Sequence, residues 1–149
     1  SSDLFKSKQG LWEAVRQRIV LKARGQNELL PSLEQPFRDF IYALLLDRVT
    51  TYRQDPALLQ IVNWQRIEKN VDNIGLRNNG HAKAWLAAFL YYQEQGEIAK
   101  QYKPEFILTL VFAIVSNLAF DPNIFVKSKK RISEYLDFCA ELICRGLKA

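Results

Sequence analysis

The stretch from Pro104 to Phe120, PEFILTLVFAIVSNLAF, constrains this chain more than any other, because within Phe106–Phe120 only Thr109, Ser116 and Asn117 are polar. A helix that is apolar on nearly every side cannot lie on a surface, so neighbouring helices must cover it on more than one face. It is shorter than the roughly 20 apolar residues that a bilayer span requires, and its three polar residues argue further against a span. The reading is a buried core helix with two faces. Ile107, Leu110, Val111, Ile114 and Leu118 form a wholly apolar stripe, and Thr109, Phe112 and Ser116 carry polar handles opposite it.

The chain has 149 residues, 48% hydrophobic and 25% charged, which suits one globular domain with its own core and leaves no room for a second. Cys139 and Cys144, five apart on one expected helix, lie about 140° around its axis and should not bond to each other. They read as small core or edge residues in a reducing compartment. The absence of a signal peptide, lipidation signal or span points to the cytoplasm. Met is absent and the chain starts Ser1-Ser2, as a fragment of a longer protein would.

Taken in order, Ser7 can cap a helix over 8–24 with Leu11, Trp12, Val15 and Ile19 on one side, and Gly25 can end it. Ser32 and Gln35 form a possible capping box, with Pro36 in the first turn of a helix reaching Tyr52 or Arg53. Phe37, Phe40, Ile41, Leu44, Leu45 and Tyr52 share its wide apolar face, and Arg48 projects into the middle of it. A guanidinium there needs a partner, either an anionic ligand or a protein carboxylate, or else a route to water. Asp55-Pro56 opens the next helix, with Leu58, Leu59, Ile61, Val62 and Trp64. Residues 70–80, NVDNIGLRNNG, read as a loop. From His81 a helix carries Ala82, Trp85, Leu86, Phe89, Leu90 and Tyr92 until Gly96. Lys103-Pro104 introduces the apolar helix, Asp121-Pro122 breaks the chain, and Ser128 can cap a last helix ending at Gly146. No segment alternates with period two. The expectation is an all-α fold of about six helices.

Catalytic constellations are missing. His81 is the single histidine, and there is no CxxC, HExxH, Gly-rich phosphate loop or GxSxG elbow. Glu94 and Glu97 sit at the polar end of a helix and read as a solvated face, and nothing activates a pair of His81 with either cysteine. No metal, cofactor or enzymatic activity is expected. What remains are aromatic residues with sparse polar groups: Trp64, His81, Trp85, Phe89, Tyr92, Phe112, Ser116, Asn117 and Arg48. Ligand pockets and ordinary cores share this composition, but the polar ends of these side chains need partners.

Charge is uneven within the net +5. Residues 1–25 hold Lys6, Lys8, Arg16, Arg18, Lys22 and Arg24 against Asp3 and Glu13. Such an end fits a phosphate-facing surface or a solvated helix face.

Two end motifs resemble a known family. Phe5-Lys6-Ser7-Lys8-Gln9-Gly10-Leu11, running into Trp12-Glu13-Ala14-Val15, resembles the F-x-S-K-x-x-L segment that leaves the recognition helix of TetR-family transcriptional regulators and starts their connecting helix. Tyr135-Leu136-Asp137-Phe138 and the finish Arg145-Gly146-Leu147 resemble that family's last helix. The family's three-helix DNA-binding domain is absent apart from its tail, and Ser2 and Asp3 depart from the aromatic residues usual there.

The resemblance implies a remnant of the helix-turn-helix domain over 1–7 and a ligand-binding and dimerisation domain over 8–149 that includes the connecting helix 8–24. It implies a repressor that forms a homodimer, binds operator DNA through the missing domain and releases it on binding a small hydrophobic or aromatic inducer, with no membrane partner. Lys8 matches a lysine that contacts DNA phosphate. Arg48, Trp64, His81, Trp85, Phe89, Tyr92, Phe112 and Ser116 are then the ligand candidates. The last two helices would form a four-helix dimer seam from Ile107, Leu110, Val111, Ile114 and Leu118 with Tyr135, Leu136, Cys139, Leu142 and Ile143. The rival reading is a helical protein-interaction or lipid-binding module with no DNA role.

Overall fold

A computed structural model describes residues 30–68 and 80–149. The remnant 1–7, the connecting helix 8–24 with Lys8, Leu11, Trp12, Val15 and Ile19, and most of the loop 70–80 lie outside the described residues, as does the side chain of His81. Among the described residues the chain is all-α, without strands. Its helices are α1 (Phe37–Gln54), α2 (Pro56–Glu68), α3 (Gly80–Glu94), α4 (Pro104–Phe120) and α5 (Lys129–Leu147).

Three of the starts follow from local sequence. The Asp55 carboxylate accepts a hydrogen bond from the Leu58 amide at 3.1 Å, which satisfies one of the amides left open in the first turn of α2. Ser128 does the same for α5, accepting from the Arg131 amide at 3.1 Å. Pro104 occupies the first turn of α4, where no helical amide bond is lost.

The start of α1 differs from the expected capping box. Ser32 Oγ accepts from Glu34, and the Gln35 amide donates to the Ser32 carbonyl at 2.8 Å, so both side chains close a local turn instead. Pro36 takes the N-cap position without a capping side chain. The open Phe37 amide donates instead to Glu97 Oε1 at 3.1 Å, a residue that follows α2 and α3 in the chain. Tyr92 reinforces the junction by donating its hydroxyl to the Gln35 carbonyl at 2.8 Å.

Glu97 can reach because the α3–α4 connection is a tight turn. Gly96 adopts φ +82°, a left-handed conformation that side chains with a Cβ resist. The buried Gln93 amide donates to the carbonyls of Ala99 and Tyr102 at 3.2 and 2.6 Å, pinning the turn from inside. Ala99 in turn donates its amide to the Leu147 carbonyl at 2.8 Å, which fastens the end of α5. Glu97→Ala is therefore expected to lower unfolding stability by about 1 kcal/mol, the usual worth of a helix cap. Urea denaturation followed by circular dichroism measures it, and an unchanged midpoint would mean that water caps α1 equally well.

Helix α1 occupies the centre. It packs against α2, α4 and α5, and Phe37, Phe40, Ile41, Leu44, Leu45 and Val49 are buried along it. The apolar helix α4 packs against α1, α2 and α3 through Ile107, Leu108, Val111, Val115 and Leu118. Its other side is open within the single chain: Phe106 is 67% exposed and Leu110 is half exposed. The helix that sequence marks as the most enclosed is thus covered on one side only, and α1 is the enclosed one.

Helix α5 is fastened to α1 by polar bonds. Arg38 donates from Nε to Glu141 at 2.6 Å and from Nη2 to Asp137 at 2.7 Å. Glu141 also accepts from Arg145 at 2.7 Å, and the Tyr42 and Ser133 hydroxyls bond at 2.8 Å. The hydrogen bonds from Arg38 and then Arg145 hold the Glu141 carboxyl below the usual carboxylate range. The same pairs raise the Arg38 guanidinium.

Candidate functional site

Three of the residues selected from sequence meet in the interior. Arg48 on α1 is 6% exposed, and its guanidinium carbon stands 5.9 Å from the Trp85 ring centroid on α3. The Trp85 ring is in turn 5.5 Å from that of Phe112 on α4. A cation over an indole face is attracted by the ring's quadrupole, and the attraction strengthens away from water. Arg48 also donates from Nε and Nη2 to Asp47 Oδ2 at 3.2 and 3.0 Å. Asp47 is exposed, so the partner of this buried cation reaches it from the solvent side. Ser116, one turn beyond Phe112, is half-buried.

Sequence reasoning missed Tyr52 as a member of this group. It lies four residues after Arg48 and so on the same face of α1. Its phenol is buried, and burial pushes the hydroxyl up to about 12, against a smaller opposing pull from the Arg48 charge. Its ring meets Phe120 edge-on at 5.1 Å. Beside it Arg53 Nη1 donates to the Leu118 carbonyl at 3.1 Å, placing a cation at the negative end of the α4 dipole.

The other candidates lie elsewhere. Phe89 and Tyr92 belong to the opposite end of α1, where the Tyr92 ring is 5.2 Å from both Phe37 and Phe40. Trp64 is 44% exposed on α2. Thr109 spends its hydroxyl on the Glu105 carbonyl of its own helix at 2.7 Å and faces solvent, as does Asn117.

A second surface lies on the outside. A groove of about 420 Å³ runs between α4 and α5, lined by Leu110 and Ile114 on one side and by Tyr135, Phe138, Cys139 and Leu142 on the other. Ile143 and Leu147 help to floor it. Phe138 and Leu142 are more than half exposed on its rim. Burial pushes the Cys139 thiol up, so the floor carries no charge at neutral pH. The stripe chosen from sequence straddles this boundary. Leu110, Ile114, Tyr135 and Leu142 reach the outer face, whereas Ile107, Val111, Leu118 and Leu136 are closed off by the chain's own packing and have no surface to give a partner. Phe106 and Phe138, outside that selection, extend the exposed face.

Among the described residues no group of three His, Cys, Asp or Glu side chains is placed to hold a metal ion, and no helix is long and apolar enough to cross a membrane. The described residues thus form an all-helical domain with an aromatic interior around one buried cation and an open apolar face on its last two helices. The chain belongs to the family described as the tetracyclin repressor-like C-terminal domain, whose model matches residues 46–143. That span runs from within α1 nearly to the end of α5. No curated protein and no solved structure matched the chain.

Proposed function

We propose that this chain is the regulatory domain of a ligand-responsive transcriptional repressor. It binds a small, mostly hydrophobic or aromatic inducer, forms a homodimer through α4 and α5, and acts in the cytoplasm on a DNA-binding head outside this chain. Membership of the family over 46–143 is the observation that carries the reading.

The inducer site is built around Arg48, Trp85, Phe112 and Ser116, with Tyr52 added on its position beside Arg48. Trp64, His81, Phe89 and Tyr92 complete the set chosen from sequence, and the last two act by shaping the far end of the interior. The dimer seam is the face around the α4–α5 groove. Two copies of that face make a four-helix bundle, with Ile107, Val111, Leu118, Leu136 and Ile143 supporting it from behind. In the dimer the connecting helices over 8–24 set the distance between two DNA heads that must meet successive half-sites, and Lys8 contacts phosphate. An inducer that binds the wrongly spaced state more tightly shifts the population off DNA, and only such a difference in affinity can do so. The domain does this by binding, without catalysis.

A thermal-shift screen of aromatic acids, acyl chains and cationic dyes tests the reading, because a ligand of the folded state stabilises it by about 2.7 kcal/mol at a hundredfold excess over Kd. For a chain of this length that is a rise in Tm of roughly 5–10 °C. Aromatic acids are expected to give the largest shift, and Arg48→Leu should abolish it while leaving the response to neutral aromatics. Absence of a shift with every class counts against an inducer-binding interior.

A further inference from the structure

The α4–α5 connection, residues 121–128, carries a surface that neither the inducer site nor the dimer seam uses. Ile124 and Phe125 are 79% and 83% exposed, the two most exposed large apolar side chains among the described residues. They are held out by a tethered backbone. On one side the Asn123 amide donates to the carbonyls of Asn117 and Asp121 at 3.1 and 3.5 Å, and on the other Val126 packs against the core. The exposure therefore belongs to a fixed presentation of two neighbouring side chains.

Next to this pair stand Lys127, Lys129, Lys130 and Arg131, all exposed. Among the described residues no carboxylate pairs with the three lysines, and Arg131 has only an exposed contact of 3.5 Å to Glu134. Three of these cations fall in the first turn of α5, which contains no acidic residue. Positive charge at that end opposes the helix dipole, so the arrangement costs stability unless an anion lies against it.

We propose that this loop is a DNA contact of the regulatory domain: Lys127, Lys129, Lys130 and Arg131 bind backbone phosphates while Ile124 and Phe125 press into the minor groove. Charge complementarity supplies the anionic partner, and an apolar wedge beside cations is how minor-groove proteins part base steps. A phosphate surface alone leaves the exposed pair without a role, whereas groove insertion uses both. The choice of nucleic acid over an anionic bilayer rests on the regulator reading above.

The test is fluorescence anisotropy of the 149-residue chain with a labelled mixed-sequence duplex about two helical turns long, titrated with salt. The expected affinity is on the order of 10–100 μM near physiological salt and rises as salt falls. Replacing Lys127, Lys129 and Lys130 together by Gln should weaken binding at least tenfold, with the salt slope falling by about 0.9 per lysine removed. Phe125→Ser should weaken it roughly fivefold with an unchanged slope, since an apolar contact displaces no counterions. Sedimentation and phosphatidylglycerol vesicles are run alongside. Equal binding by all variants, which would assign it to another basic segment, overturns the proposal. So does no binding, binding to vesicles but not to duplex, or a change of oligomeric state in Phe125→Ser. The thermal-shift response to inducer does not involve this loop, so either proposal can fail while the other stands.

Discussion

Leu110→Glu together with Leu142→Glu is expected to convert the proposed α4–α5 dimer into a monomer with its helix content intact. Both side chains line the α4–α5 groove and are about half exposed in the single chain, so a carboxylate at either position stays hydrated when the chain is alone. In the bundle each would be carried into an apolar seam and meet its symmetry mate, since a twofold interface brings the same patch to both sides. Burying an unpaired charge costs several kcal/mol, and removing one central apolar anchor alone costs about 2 kcal/mol or more. Dimerisation should weaken by at least a hundredfold. Analytical ultracentrifugation reads the mass and far-ultraviolet circular dichroism reads the fold. A variant that remains dimeric places the seam on another face.

Phe40→Ala is expected to have the largest effect on stability. Phe40 is fully buried in the first turn of α1, packed 5.2 Å from the Tyr92 ring. Its removal takes away the transfer free energy of the ring and leaves a cavity in a site walled by helices that cannot all close in, which together cost about 3–5 kcal/mol. That is a large part of the roughly 5–15 kcal/mol of a typical domain. Urea denaturation should show the midpoint falling with little change in slope. The contrast with Phe125 is informative: the same residue type in the open loop should change stability by less than about 0.5 kcal/mol.

What the sequence made legible follows from how local each cause is. The starts of α2, α4 and α5 are set by Asp55, Pro104 and Ser128 within a turn of the helices they open, and each was readable. The start of α1 was not, because its cap comes from Glu97, and no pattern in the neighbouring residues points there. The facing of α4 was obscured for another reason. A helix apolar all round gives periodicity little to distinguish, and the stripe read from it lay rotated, mixing buried Val111 with exposed Leu110. In the interior, Arg48 stood out because a cation on an apolar face demands a partner, and the structure sets it against Trp85 and Asp47. Tyr52 passed for an ordinary member of that face, although its spacing from Arg48 was signal enough. Phe89 and Tyr92 share the helix of Trp85 but extend toward the opposite end of the core, a distinction that depends on how far along α1 each turn of α3 falls.

The bond from Glu97 to Phe37 also bears on the order in which the domain forms. It joins residues 60 apart, and closing a loop of that length costs about 3–4 kcal/mol of chain entropy before any contact offsets it. The first turn of α1 therefore gains this cap only once the Gly96 turn has formed and docked. The rest of α1 is held mainly by α5 and α4, which also lie far along the chain, so its packing waits on long closures as well. The central helix of the domain is thus completed by segments that follow it at long range, and no neighbouring stretch of sequence encloses it alone.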